Sequence, residues 1–219
     1  MIHVEALRFR YPQGDFQLSL DRLSLAAGQQ ATLTGPSGSG KSTLIQLLSG
    51  ILLPESGRIE VAGQEMTGLE ETARRQWRVR RLGFVFQDFG LLPHLRILDN
   101  ILLPFHVHRA LRLSPEIRAR AGQLAETTGL TPYLSRLPEA LSHGERQRAA
   151  ICRALLTRPA LVLADEPTGN LDHATAQLVL DLMQRECREI GATLLCVTHD
   201  PAVTERFSQH FHLPRLLAA

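Results

Sequence analysis

The sequence predicts an α/β fold built on a mainly parallel sheet, and three observations predict it. Gly35-Pro36-Ser37-Gly38-Ser39-Gly40-Lys41-Ser42 matches the phosphate-loop pattern G-x-x-x-x-G-K-[ST] at every fixed position. The motif lies between a strand-like run, Gln29 to Thr34, and a stretch with apolar residues at Leu44, Leu47 and Leu48 that reads as a helix. Further on, Leu161-Val162-Leu163-Ala164 and Ala192-Thr193-Leu194-Leu195-Cys196-Val197 are short apolar runs of the kind that parallel strands, buried on both faces, require.

The loop carries the first chemical expectation. Its glycines let the backbone fold around phosphate oxygens with N–H groups pointing inward, and the helix N-terminus adds partial positive charge there. A nucleoside triphosphate is therefore the expected ligand. Lys41 would reach the β- and γ-phosphates, and Ser42 would offer its hydroxyl to Mg²⁺.

Composition bounds the rest. A chain of 219 residues, 44% of them hydrophobic, can bury the core of one α/β domain. Twenty-four basic residues against twenty-two acidic ones lack the strongly basic balance of a nucleic-acid binder, so no nucleic-acid partner is expected. Cys152, Cys187 and Cys196 have no paired short spacing and apolar or helical neighbours, which predicts buried thiols in a reducing compartment. The N-terminus has no basic region followed by an apolar core, and no run of about 18 apolar residues is present. The expectation is a soluble chain that reaches a membrane through a partner.

In chain order, residues 2 to 9 and Phe16 to Leu20 alternate around the turn-like Tyr11-Pro12-Gln13-Gly14-Asp15, reading as strand, turn and strand. Tyr11 reads equally as a half-buried strand aromatic or as a platform for an adenine ring. The loop helix should end at Gly50, before Pro54, and Gly57 to Val61 should return as a strand. The charged run from 67 to 81 reads as a solvated helical face. Leu82 to Phe86 is strand-like and delivers Gln87 at its C-terminal end, where ligand sites of open α/β sheets lie. Prolines 93, 104, 115, 132 and 138 then divide residues 88 to 154 into helix-length segments, an inserted helical subdomain. His106 and His108, with no third ligand nearby, read as surface or packing residues. Ser142 and Glu145 fit a capping box opening a helix. The buried run 161–164 ends in Asp165-Glu166, where an aspartate can order Mg²⁺ and a glutamate can orient water. Leu178 to Ile190 reads as a crossover helix. The last buried run ends at Thr198-His199-Asp200, with His199 placed to sense a γ-phosphate.

In this order the residues closely resemble the ATP-binding subunits of ABC transporters, from about residue 2 to 208. Gly35 to Ser42 resembles Walker A, Gln87 the Q-loop glutamine, Leu141 to Gln147 the family signature, and Leu161 to Asp165 Walker B. Glu166 resembles the catalytic glutamate, Asn170-Leu171-Asp172 the D-loop, His199 the switch histidine, and Tyr11 the adenine-stacking aromatic. Leu82 to Gln87 with Leu91-Leu92-Pro93, Asn100 to Pro104, and Ala164 to Asp172 are similar to the lipoprotein-releasing and macrolide-exporter branch.

The resemblance implies one nucleotide-binding domain over residues 1 to 219. Its fold would be a P-loop NTPase core with a mainly parallel sheet, an N-terminal antiparallel β subdomain and the helical insert. ATP would contact Tyr11, Gly35, Pro36, Ser37, Gly38, Ser39, Gly40, Lys41, Ser42 and Thr43, and also Ser142, Gly144 and Asp172. Ser42, Gln87 and Asp165 would hold Mg²⁺, and Lys41, Gln87, Glu166 and His199 would serve hydrolysis. The implied protein is an ATPase at the cytoplasmic face of the inner membrane. It forms an ATP-dependent homodimer and drives an integral membrane permease. A regulatory subunit that signals through a membrane complex without transport stays open. A DNA-repair or translation ATPase lacks support, because neither coiled-coil insertion nor second nucleotide site is present. Two departures stand out: His143 replaces the first glycine of the usual signature, and the chain after Phe207 lacks the usual final strand and glycine. A natural histidine at 143 implies an ordinary backbone with the ring turned aside and a mild effect of its replacement by glycine; the alternative is a ring that adds positive charge beside the γ-phosphate and makes activity rise as pH falls.

Overall fold

The computed structural model describes residues 1 to 214. Strand β1 (Ile2–Arg10) buries Ile2, Val4, Leu7 and Phe9, an alternation that a sheet with one covered face imposes. It pairs antiparallel with β2 (Gln17–Leu25) on one side. On the other side lies β4 (Ser56–Val61), itself joined by the short β5 (Gln64–Glu65). The strand expected at Gly57 to Val61 thus belongs to this antiparallel sheet.

The second sheet is parallel throughout. Its order is β6 (Leu82–Val85), β7 (Leu161–Asp165), β8 (Thr193–Val197), β3 (Gln30–Thr34) and β9 (Gln209–His212). All of β8, and β7 up to Ala164, are buried, as their continuous apolar sequence requires. Helix α1 (Lys41–Leu48) follows β3 and ends through Gly50, whose φ of +66° makes it the left-handed residue after the cap. Helix α6 (His173–Glu189) carries the chain from β7 to β8, starting earlier than its apolar pattern suggested. The strand β9 corrects the expectation that no final strand follows Phe207: it pairs with β3 along its length, and Leu213 N continues the ladder to Thr34 O at 2.8 Å. The part of that reading that falls beyond residue 214 lies outside the described residues.

Helix α2 (Glu71–Arg81) corrects a second reading. Arg74 is buried and donates to Leu69 O and Glu71, while Arg78 donates to Gly50 O at 2.8 Å, so part of the charged face pins α2 to the end of α1. Between β6 and β7, α3 (Ile97–Val107), α4 (Pro115–Thr127) and α5 (His143–Leu155) enclose an apolar cluster of their own, including Ile97, Ile101, Leu124, Leu141 and Cys152. Asn100, fully buried there, bonds Leu92 N and O and Leu95 O, fixing the loop that enters α3. All three cysteines are buried. Burial pushes the Cys152 and Cys187 thiols up to about 12 and raises Cys196 as well, which leaves them unreactive. No helix among the described residues is long and apolar enough to cross a membrane.

The close seat of β6 against the C-terminal end of α5 rests on Gly83. A Cβ added there would lie 2.5 Å from Ala154 O and 3.1 Å from Pro159 Cγ. Gly83→Ala should therefore destabilise the chain by roughly 1–3 kcal/mol, seen as a lower urea midpoint, and an unchanged midpoint would contradict this packing.

Candidate functional site

Parallel pairing in register lines up the strand ends. Leu33 and Asp165 both pair with Val197, so β3, β7 and β8 finish in one row. The residues that follow, Thr34-Gly35, Glu166 and Thr198-His199, emerge together at the C-terminal edge of the sheet. Val85 pairs with Ala164, which brings Gln87 out beside Glu166. This is the edge at which open α/β sheets hold ligands.

The loop from Gly35 to Gly40 has left-handed backbone at Gly38 and Gly40, with φ of +77° and +94°, conformations that glycine adopts freely. A Cβ at Gly38 would meet nothing within 4 Å, whereas at Gly40 it would meet Phe16 Cζ at 2.7 Å and at Gly35 it would meet Leu213 O at 2.4 Å. The loop is thus packed from behind by Phe16 and the end of β9 and open in front. Pro36, Ser37 and Gly38 are exposed, and Ser39 Oγ is buried with no hydrogen-bond partner among the described residues. Lys41 Nζ folds over the loop, donating to Gly35 O at 2.8 Å and Pro36 O at 3.0 Å. Tyr11 packs edge-on to Phe9 and against Phe16, and its hydroxyl lies 3.2 Å from Thr43 Oγ1. Both readings of Tyr11 keep a footing: the ring is partly packed, and it stands at the first turn of α1.

Ser42 Oγ donates to Asp165 Oδ2 at 3.2 Å, joining residues 123 apart in sequence. Burial holds the Asp165 carboxyl above the usual aspartate range, against the pull of the Ser42 hydrogen bond, and the charge of Glu166 adds to the rise. Two hard oxygen donors on adjacent strand and helix, one a carboxylate short of solvent, fit Mg²⁺. Glu166 has a left-handed backbone (φ +46°), anchored by its N–H to Val197 O at 3.0 Å. His199 Nδ1 donates to Glu166 Oε1 at 2.6 Å, and the glutamate side chain is 14% exposed against 74% for the histidine. The carboxylate is thus shielded yet held by a group that faces solvent.

Other expected residues lie elsewhere in the chain. Ser142 caps α5: its Oγ accepts from Glu145 N, and Glu145 returns a bond to the Ser142 N–H, completing the capping box. Gly144 is buried in α5, where a Cβ would meet Thr175 Cγ2 at 2.6 Å, so the α5–α6 contact is itself a reason for glycine. Asp172 is the N-cap of α6, accepting from Thr175 N at 3.0 Å; hydrogen bonds from the Thr175 side chain and then from its backbone lower the Asp172 pKa. Among the described residues, its hydrogen bonds and those of Ser142 do not reach the Lys41 loop. His143 begins α5 in ordinary helical conformation, without a positive φ. His106 is exposed, His108 Nδ1 accepts from Ala110 N, and the described residues contain no cluster of three metal-ligating side chains. Sequence reasoning missed Phe16 and Arg153. The guanidinium of Arg153 donates to Phe89 O and Gly90 O and holds the turn that follows Gln87. An arginine inside a mainly apolar helix segment was the available signal.

The family model described as ABC transporter matches residues 18–169, more than half of the chain. The chain belongs to the ABC transporter family. With that family's ATP-binding subunits, it is an ATPase. The lipoprotein-releasing system ATP-binding protein LolD 1 of Rhodopirellula baltica is 40% identical over 216 residues, covering 97% of this chain and 93% of that protein. LolD of Bordetella pertussis is 45% identical over 191 residues, 87% of this chain and 82% of that protein. Among solved structures, the dimeric structure of MJ0796, a bacterial ABC transporter cassette, superposes with a TM-score of 0.87 at 32% identity, over 98% of this chain and 95% of that one. The ABC cassette of this chain is the same α/β fold. A post-hydrolysis dimer of MJ0796 bound to ADP and Pi gives 0.86 at 31% identity, over 97% and 94%.

The raised Asp165 carboxyl yields a stability test within this ABC subunit. An acid whose folded pKa lies above its unfolded one loses stability as pH climbs from the unfolded value through the folded one. Asp165→Asn should therefore raise the thermal midpoint of the nucleotide-free protein at neutral pH, and the gain should vanish below the ordinary aspartate pKa. A lower midpoint at neutral pH would contradict the desolvated carboxylate.

Proposed function

We propose that this chain is the ATP-hydrolysing subunit of a lipoprotein-releasing type of ABC transporter. Two copies would close head to tail around two ATP and drive a separate integral membrane permease from the cytoplasmic face of the inner membrane. The names carried by relatives 40–45% identical support the substrate class. The observation that carries the ATPase chemistry is the convergence of Ser42, Asp165, Glu166 and His199 at one sheet edge, through the contacts Ser42–Asp165 and Glu166–His199. We take residues 1 to 219 as a single nucleotide-binding domain, with 88 to 154 as its helical subdomain.

In this reading ATP lies on the loop with its adenine against Tyr11. The backbone from Gly35 to Thr43 binds its phosphates through N–H groups. Lys41 leaves the carbonyls of Gly35 and Pro36 for the β- and γ-phosphates, exchanging neutral acceptors for anionic ones. Ser42, Asp165 and Gln87 would hold Mg²⁺, which would supply positive charge to neutralise the phosphates. Glu166 accepts a hydrogen bond from the attacking water and takes up its proton, and His199 fixes that carboxylate while presenting its exposed ring to the γ-phosphate side. Ser142 and Gly144, at the start of α5, together with Asp172, serve the ATP of the other copy.

A groove supports a membrane partner. Phe84, Phe86, Leu103, Pro104 and Val107, flanked by Arg75, line a cavity of about 400 Å³ between β6, α2 and α3. Phe86, stacked 5.2 Å from Phe84, and Val107 leave 42% and 70% of their surfaces exposed. An apolar recess with a basic rim, beside Gln87, suits a short segment of a permease, and its movement would be felt at the metal site.

Two substitutions test the chemistry. Glu166→Gln keeps hydrogen bonding but removes basicity, so turnover should fall by about 10²–10⁴ while Mg-ATP still drives dimer formation in light scattering; unaltered turnover would remove Glu166 as the base. Lys41→Ala should weaken both binding of a fluorescent ATP analogue and turnover, whereas alanine at His106 or His108 should change neither. A strong loss of nucleotide binding from either histidine would place a second ligand site there.

A further inference from the structure

His143 is where the chain departs from the usual signature, and its ring is not idle. Nδ1 lies 3.3 Å from Asn170 O. A carbonyl only accepts, so Nδ1 is the protonated nitrogen in this bond. The same ring meets Phe89 edge-on, with centroids 5.7 Å apart. Asn170 in turn donates from Nδ2 to Gln87 O at 2.9 Å. The start of α5, the turn after β7 and the turn after β6 are therefore tied through one histidine and one asparagine.

Both turns carry hydrolytic residues at close range. Asn170 sits four residues after Glu166, in a segment folded on itself by Gly169 N to Glu166 O and Leu171 N to Thr168 O, each at 3.1 Å. At Gly169 a Cβ would lie 3.5 Å from Gln87 Nε2, so the amide of Gln87 rests against this turn. Glu166 and Phe89 are both held in left-handed backbone, a conformation that persists when surrounding contacts fix it. A glycine at position 143 would offer neither a donor to Asn170 O nor a ring to Phe89.

We infer that His143 is a positioning residue for hydrolysis: its Nδ1–H holds Asn170 O, and through that turn it sets Glu166 and Gln87 relative to the start of α5. The inference rests on the assignment of Glu166 and Gln87 to the hydrolytic site. It replaces the expectation, drawn from sequence, that losing this side chain matters little.

Three variants of the full chain separate the contacts. Asparagine places a donor near the position of Nδ1 without a ring, phenylalanine keeps the ring without a donor, and glycine keeps neither. Steady-state Mg-ATP hydrolysis, measured at protein concentrations where activity per chain is maximal, should show His143→Gly lowering kcat by about tenfold or more, as misplacement of a catalytic group does. KM should stay within about twofold of wild type, because the contacts removed are within the chain and none is to the nucleotide. His143→Asn should recover most of the lost kcat and His143→Phe should not. Wild-type kcat in His143→Gly, or His143→Phe recovering as well as His143→Asn, would overturn the inference. If the glycine variant does not fold, the asparagine and phenylalanine variants decide the matter by the same comparison. Full turnover in Glu166→Gln would instead defeat the underlying assignment, whatever the His143 variants do.

Discussion

The row Leu33–Val197–Asp165 is the constraint on which the site depends. Side chains in a strand alternate between faces, so a slip of one residue in any of the three strands would turn its buried set outward and displace the group at its end. The apolar sequence of β7 and β8, covered on both faces, has little tolerance for exposure, and that intolerance holds the ends level. The geometry of the residues at this edge is thus a by-product of core burial. Ser42 meets Asp165, and His199 meets Glu166, because the strands beneath them cannot move independently.

The surrounding pieces act on this edge from behind and from the side. The antiparallel sheet brings Phe16 against Gly40, and β9 lays Leu213 O against Gly35, so the loop is backed by two segments distant in sequence. From the side, α5 controls the Gln87 turn at two levels: Arg153 grips the carbonyls of Phe89 and Gly90, and His143 touches the Phe89 ring. The buried guanidinium has its pKa lowered chiefly by desolvation, partly offset by Asp88, and the carbonyl bonds are what make such burial tolerable. Gly90 and Arg153 also line the groove beside Phe86, so the same contacts join that groove to the turn after Gln87.

What was legible in the sequence follows the range of the interactions. The loop motif, the buried runs and the capping box at Ser142 are set by neighbours within a few residues, and each stands where expected. The strand β9 was not legible: four residues, Gln-His-Phe-His, with Phe211 alone apolar, carry little apolar signal until β3 offers a ladder. Arg74 and Arg78 read as solvated because their acceptors, Leu69 O and Gly50 O, are backbone atoms and leave no trace in composition. Gly144 had a visible motif and a partly hidden reason, since the Thr175 methyl that excludes a side chain comes from another helix. His143 was visible as an oddity, but its partners at 89 and 170 belong to turns whose approach no local pattern encodes.

The start of α5 leaves the account incomplete within one chain. Ser142 and His143 are exposed at the mouth of the helix, where N–H groups and the dipole favour an anion. Yet the hydrogen bonds of Ser142 are spent on Glu145 rather than on the loop that carries Lys41. In the proposed reading, a γ-phosphate held by one loop would gain further donors from this helix end of a second copy; MJ0796, to which the chain is similar, is a cassette solved as a dimer. The dependence of ATPase activity on protein concentration tests this most directly. Activity per chain should rise with concentration toward a plateau as dimers form. A value constant down to nanomolar dilution, with monomers alone in sedimentation, would contradict a site shared between two chains.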